Sequence, residues 1–93
     1  MKKEHKEYTI TAYTEDCLGL ISRINAIFSR RRISMVNFNM GPAEMENIRK
    51  FVITIRETEE SVQKITRQME KQVDILEVHY HKNPYFTAIE YAS

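Results

Sequence analysis

Along this chain the apolar residues change spacing twice, from alternation to a helical stripe and back, and few folds accommodate that order. Tyr8–Tyr13 is rich in β-branched and aromatic residues and predicts a strand, with Ile10 and Ala12 on one face and Thr9 and Thr11 on the other. A polar loop follows and ends in Gly19. From Leu20 the spacing turns helical: Leu20, Ile21, Ile24, Ile27 and Phe28 form one stripe. The helix ends near Arg30-Arg31-Arg32, cations that suit the negative end of its dipole. Ile33–Met40 predicts a second strand, with Val36, Phe38 and Met40 on one face and Met35, Asn37 and Asn39 on the other. Gly41-Pro42 opens a turn that runs to Asn47. Ile48–Arg56 predicts the third strand, carrying Arg49, Phe51, Ile53 and Ile55 on one face. Thr58 caps a second helix, with Glu59 and Glu60 in its first turn and Val62, Ile65 and Met69 as a narrow apolar stripe. Val73–Tyr80 predicts the fourth strand, and Asn83-Pro84 closes the regular part.

The order β-α-β-β-α-β has a compact solution in which each β-α-β half crosses over right-handed and the hairpin makes strands two and three antiparallel neighbours. It is an α+β, ferredoxin-like sandwich: a four-stranded antiparallel sheet in the order 4-1-3-2 with both helices on one face. Strand two is then an exposed edge, through Val36, Asn37, Phe38 and Asn39, and such an edge invites pairing with another chain. With 93 residues there is room for one domain and a thin core, which adds a reason for a homodimer. The expected division is an N-terminal arm over 1–6, the domain over 7–82 and a tail over 83–93.

Charge and cysteine content remove several function classes. Fourteen basic and 13 acidic residues give a net charge of +1, so nothing calls for nucleic acid or an anionic membrane. The single cysteine, Cys17, cannot form an internal disulfide, which favours a reducing cytoplasm. The basic N-terminus has no apolar run behind it, so no signal peptide is expected. Cys17 has no histidine near it in sequence and reads as a small loop residue rather than a nucleophile. His79 and His81 share a strand face but bring no third ligand, so no metal and no cofactor are expected.

The loop Asp16-Cys17-Leu18-Gly19 stands out by position. It leads into a helix whose first amides have no internal partners and carry partial positive charge, and Gly19 admits a tight turn and close approach of a ligand. A small anion such as an amino-acid carboxylate suits it. Spacing alone favours the plainer reading, in which Gly19 serves the turn and Asp16 caps the helix.

Glu15-Asp16-Cys17-Leu18-Gly19-Leu20-Ile21-Ser22-Arg23-Ile24, followed by Ile27-Phe28-Ser29-Arg30-Arg31, resembles the opening of an ACT domain of the kind found in the small, regulatory subunit of acetohydroxyacid (acetolactate) synthase. Gln68-Met69-Glu70-Lys71-Gln72-Val73-Asp74-Ile75-Leu76-Glu77-Val78 is similar to that subunit's second helix and fourth strand. The resemblance spans roughly residues 7 to 81. It implies a non-catalytic subunit, active through a separate thiamine-dependent large subunit that it activates and makes sensitive to a branched-chain amino acid, usually valine. It also implies an effector site between two paired domains, built from Asp16, Cys17, Leu18, Gly19 and Leu20 of one copy and Ser34, Met35 and Val36 of the other. Three positions depart from the family pattern: Asp16 and Ser34 stand where asparagine is frequent, and Arg32 where glycine is usual. Many members carry a second domain, and Tyr85–Tyr91 reads either as a partner-docking strand or as a remnant of such a domain.

Two rivals share the topology. An RNA-recognition module stacks bases on aromatics of strand three, but Arg49-Lys50-Phe51-Val52-Ile53-Thr54-Ile55 lacks the glycine and paired aromatics, and Phe51 is wanted for the core. An acylphosphatase-like enzyme would need a further arginine in the loop after strand one, which is missing there.

Overall fold

Alternation in Lys6–Glu15 buries Tyr8, Ile10, Ala12 and Thr14 on one face, and this ten-residue strand, β1, is the sheet's inner spine. In a computed structural model, which describes residues 5–15 and 19–84, the order along the chain is β1, α1 (Leu20–Arg30), β2 (Met35–Pro42), β3 (Ile48–Glu57), α2 (Glu59–Glu70) and β4 (Ile75–Lys82). Hydrogen bonding sets the strands in the order β2-β3-β1-β4, every neighbouring pair antiparallel, which is the expected 4-1-3-2 sheet. Phe51, Ile53 and Ile55 of β3 lie across from Ala12, Ile10 and Tyr8 of β1, so the apolar face is continuous. Leu20, Ile24, Ile27 and Phe28 of α1 and Val62, Ile65 and Met69 of α2 cover that face and share one cluster with it. Both helices therefore lie on one side, and Thr9, Thr11, Tyr13, Lys50, Val52 and His79 belong to the open side.

The helix ends follow local chemistry. Thr58 Oγ1 accepts from the Ser61 amide at 3.2 Å, and Glu59 and Glu60 occupy the positive first turn, as expected from sequence. At the end of α1 the Ile33 amide donates to the Phe28 carbonyl and the Arg32 amide to that of Ser29, both at 3.0 Å. This pair of bonds is a Schellman closure, and Arg32 takes the left-handed position within it, at φ 57°. Glycine suits that position best.

Four sequence expectations are corrected. Val36 and Met40 do not share the inner face with Phe38 as equals: a bulge between Met35 and Asn37 leaves Val36 without a cross-strand partner, so Met35 and Phe38 both pack on the core. Val36 and Met40, on the edge strand, are each about half exposed. Ile21, assigned to the α1 stripe, lies at its solvent border. The fourth strand starts at Ile75 rather than Val73, whose side chain is 92% exposed in the preceding turn. The second strand starts at Met35 and continues through Pro42 rather than ending at Met40. Among the described residues no helix is long and apolar enough to cross a membrane.

Candidate functional site

The strand-to-helix connection after β1 is where sequence placed an anion site, and Gly19 there has φ 86°, the left-handed region that glycine adopts without cost. Gly19 is the residue that caps α1; among the described residues no side chain caps the first amides, and no acid sits in the first turn. A Cβ added at Gly19 would meet nothing within 4 Å, so the space in front of the helix is open among the described residues. Thr14, near the end of β1, is fully buried, and among the described residues its Oγ1 has no hydrogen-bond partner. Asp16, Cys17 and Leu18 lie outside the described residues. Leu20 contributes its side chain to the core.

The other half of the expected site is far away in the same chain. Met35 pairs with Ile55, which pairs with Tyr8 near the start of β1, whereas Glu15 and Pro42 lie beside Ile48 and Arg49 at the opposite end of the sheet. Seven residues of strand separate these ends, roughly 20 Å. Ser34 and Val36 are exposed and Met35 is half-buried. One chain therefore does not bring Gly19 and Ser34–Val36 together. β2 is an outer strand, with Asn37 and Asn39 exposed and Asn39 Nδ2 donating to Asn37 Oδ1 at 3.4 Å. Phe38 turns inward and its ring lies 5.6 Å from that of Phe51.

The two segments on which the family resemblance rests are tied to each other. The Arg23 guanidinium, in the first turns of α1, pairs with the Asp74 carboxylate in the turn before β4. The Glu15 amide donates to the Asp74 carbonyl at 3.2 Å. Asp74 thus holds the chain on both sides of the segment 16–18, a role that sequence reasoning missed because it spans 51 positions.

The remaining candidates fall elsewhere. His79 Nε2 is 3.8 Å from Glu77 Oε2, and His81 is exposed; among the described residues no three His, Cys, Asp or Glu side chains group as metal ligands. Arg30, Arg31 and Arg32 are exposed, and Arg31 Nε donates to Gln68 Oε1 at 2.9 Å, pinning the end of α1 to α2. Phe51 is buried, so it offers no platform for a base on the open face.

Comparison with known proteins adds a family. A model described as an AHAS small subunit-like ACT domain matches residues 10–77. Acetolactate synthase small subunit 1, chloroplastic, of Nicotiana plumbaginifolia is 30% identical over 73 residues, covering 78% of this chain and 16% of that protein. The acetolactate synthase small subunit of Mycobacterium leprae is 25% identical over 71 residues, 76% of this chain and 42% of that protein. This chain thus spans less than half the length of these relatives. The crystal structure of an acetolactate synthase small subunit from Thermotoga maritima superposes with a TM-score of 0.74 at 19% identity, over 81% of this chain and 47% of that one. Ribosomal protein S6 of the same organism reaches 0.73 at 13% identity, over 96% and 97% of the two chains. Those superpositions establish the shared fold alone, and that fold serves unrelated proteins.

Proposed function

Because this chain belongs to the AHAS small subunit-like ACT domain family, we propose that it acts as a non-catalytic regulatory subunit, with residues 7–82 as the ACT domain, that activates an acetolactate synthase large subunit and makes it sensitive to a branched-chain amino acid, valine first. The observation that carries this reading is the split site. Gly19 and Ser34–Val36 lie at opposite ends of the sheet, and β2 between them is an edge. Pairing two β2 edges antiparallel about a two-fold axis reverses one copy against the other. The start of β2 in one copy then lies beside the end of β2, and so the Gly19 end, of its partner. The homodimer completes the site and satisfies the open edge in one contact.

Within that site the roles follow from chemistry. The free amides at the start of α1 receive the effector's carboxylate, and Gly19 lets it approach. Asp16 draws the ammonium group, while the exposed Ser34 hydroxyl and the bulged Val36 contact the effector from the partner's edge. The large subunit supplies the thiamine-dependent chemistry.

The test is a reconstitution. With pyruvate and thiamine diphosphate, the isolated chain forms no acetolactate. Added to its cognate large subunit it raises turnover, and valine lowers the stimulated rate. Turnover by the chain alone, or a large subunit indifferent to its presence, overturns the proposal.

A further inference from the structure

The open face of the sheet carries a groove of about 510 Å3 at the β2–β3 hairpin end, on the side away from the helices. That is within the usual range for small-molecule sites, about 300–1,000 Å3. Part of its wall is apolar, through Met45, Ile48 and Leu76, for local reasons. Tyr13 pairs with Glu77 and Thr14 with Ile75, so Leu76 is left over as a bulge, 52% exposed, and it lines the groove. On the other side, the hairpin turn closes through the Ala43 amide on the Ile48 carbonyl at 2.9 Å and the Ile48 amide on the Met45 carbonyl at 3.3 Å. Asn47 takes the left-handed turn, at φ 66°, and Met45, 69% exposed, lines the groove with Ile48. Apolar side chains gathered at one place mark a contact surface better than scattered ones do.

The charged side chains that line the groove are Lys50, Glu44 and Glu77, with His79 beside them, and Lys50 is the cation within reach of an anionic ligand. Lys50 Nζ lies 5.9 Å from the centre of the Tyr13 ring, and among the described residues no carboxylate pairs with it. The Tyr13 ring in turn lies 6.1 Å from that of His79 and tilted by 37°, which continues the floor onto β4. An ammonium resting on an aromatic ring beside apolar walls suits a carboxylate that brings an apolar body with it. Glu77, on the rim beside His79, offers a place for an ammonium group.

We propose that this groove is a second binding site, separate from the Gly19 loop and the β2 edge, for a small carboxylate with an aliphatic body. The carboxylate pairs with Lys50, and the aliphatic part lies against Met45, Ile48 and Leu76. An amino acid and the corresponding 2-oxo acid share this chemistry; only the amino acid also uses Glu77. The site stands whether or not the chain regulates a synthase.

The experiment is a titration of the isotopically labelled full chain, followed by amide shifts in NMR, with L-leucine and with 4-methyl-2-oxopentanoate to roughly 10 mM each. Saturable shifts are expected at Tyr13, Lys50, Leu76 and Glu77. Lys50→Met, which keeps the aliphatic stem, weakens binding about tenfold or more, and Lys50→Arg restores most of it. Glu77→Gln weakening leucine alone identifies an amino-acid site; Glu77→Gln leaving both unchanged identifies a site that reads only the carboxylate and the chain. Absent shifts, shifts confined to Gly19 and Ser34–Val36, or binding that survives Lys50→Met overturn the proposal. So does broadening of the groove amides with protein concentration alone, which would make a second copy the occupant.

Discussion

The two strand-to-helix junctions are built from similar residues and finished in opposite ways. After β3, Thr58 spends its hydroxyl on the Ser61 amide, and Glu59 and Glu60 complement the dipole of α2. After β1, among the described residues, the buried Thr14 Oγ1 has no partner, Gly19 turns left-handed, and the first amides of α1 receive no side-chain cap. Natural helices usually satisfy such groups, and the proposed effector would satisfy them at the first junction as Thr58 does at the second. On the proposed function, the second half of the fold is organised for stability and the first for a ligand.

The largest effect is expected from closing the open junction with charge. Gly19→Asp places a carboxylate where the proposed effector's carboxylate must lie, and like charges at that range repel by a few kcal/mol at surface-like dielectric, about enough to abolish a modest affinity. The left-handed backbone at Gly19 adds a stability cost of about 1–2 kcal/mol for a residue with a Cβ. Gly19→Asn carries the same backbone strain without the charge, so it separates the two effects. Calorimetry with valine should show binding by the Asn variant and none by the Asp variant; wild-type binding by Gly19→Asp places the site elsewhere.

Next come the two threonines, whose replacements should move stability in opposite directions. Thr58→Ala removes a cap and lowers stability by about 1 kcal/mol. Thr14→Val removes an unpaired buried hydroxyl while keeping shape and β-branching, and raises stability by about 1 kcal/mol. Urea unfolding of the chain without effector measures both. A loss of stability in Thr14→Val would show that its hydroxyl has a partner and that the junction is less open than its geometry indicates.

This contrast also separates what was legible in the sequence from what was not. Element order and sheet topology follow from residue spacing, because core positions in strands and helices repeat at different periods. Thr58 and its acids are readable because capping is local. The misassigned residues around Val36 and Val73 lie beside bulges or at strand starts, where one unpaired residue shifts the two-residue alternation by a full face. Of the candidate site, Gly19 is legible from its position between a strand and a helical stripe. The separation of Gly19 from Ser34–Val36 is not, since it depends on how β1 and β2 register against β3. The groove at Lys50 is not legible for the same reason: its residues come from the hairpin turn and from all four strands, including a bulge.

A smaller effect is expected where α1 ends. Arg32 holds a left-handed backbone in the closure after the helix, a conformation that glycine adopts freely. Arg32→Gly relieves that strain but gives the unfolded chain more freedom, so the net gain is about 0.5 kcal/mol. Thermal unfolding should show a rise of a few degrees, on the order of 2–4 °C for a domain of this size. An unchanged or lower midpoint would show that the Arg32 side chain returns more than its backbone costs.

A similarly small effect on stability is expected at the tie between the halves, and it tests the comparison most directly. Arg23 and Asp74 are 42% and 24% exposed, so water and salt screen their attraction, and a double-mutant cycle should give a coupling of about 0.2–1 kcal/mol. In high salt the coupling should shrink, because a Debye length near 3 Å at 1 M leaves little of a surface pair. Asp74 nevertheless grips the chain before the loop through its carbonyl and after the loop through its side chain. Asp74→Asn keeps the carbonyl contact and removes the charge, so the start of α1 is held less firmly while the fold persists. If the open junction is the binding half, Asp74→Asn should weaken valine binding several-fold at a stability cost smaller than that of Thr58→Ala, which should leave valine binding unchanged. The reverse pattern, with binding sensitive to Thr58 and indifferent to Asp74, would assign the ligand to the closed junction and invert the division of labour between the two halves.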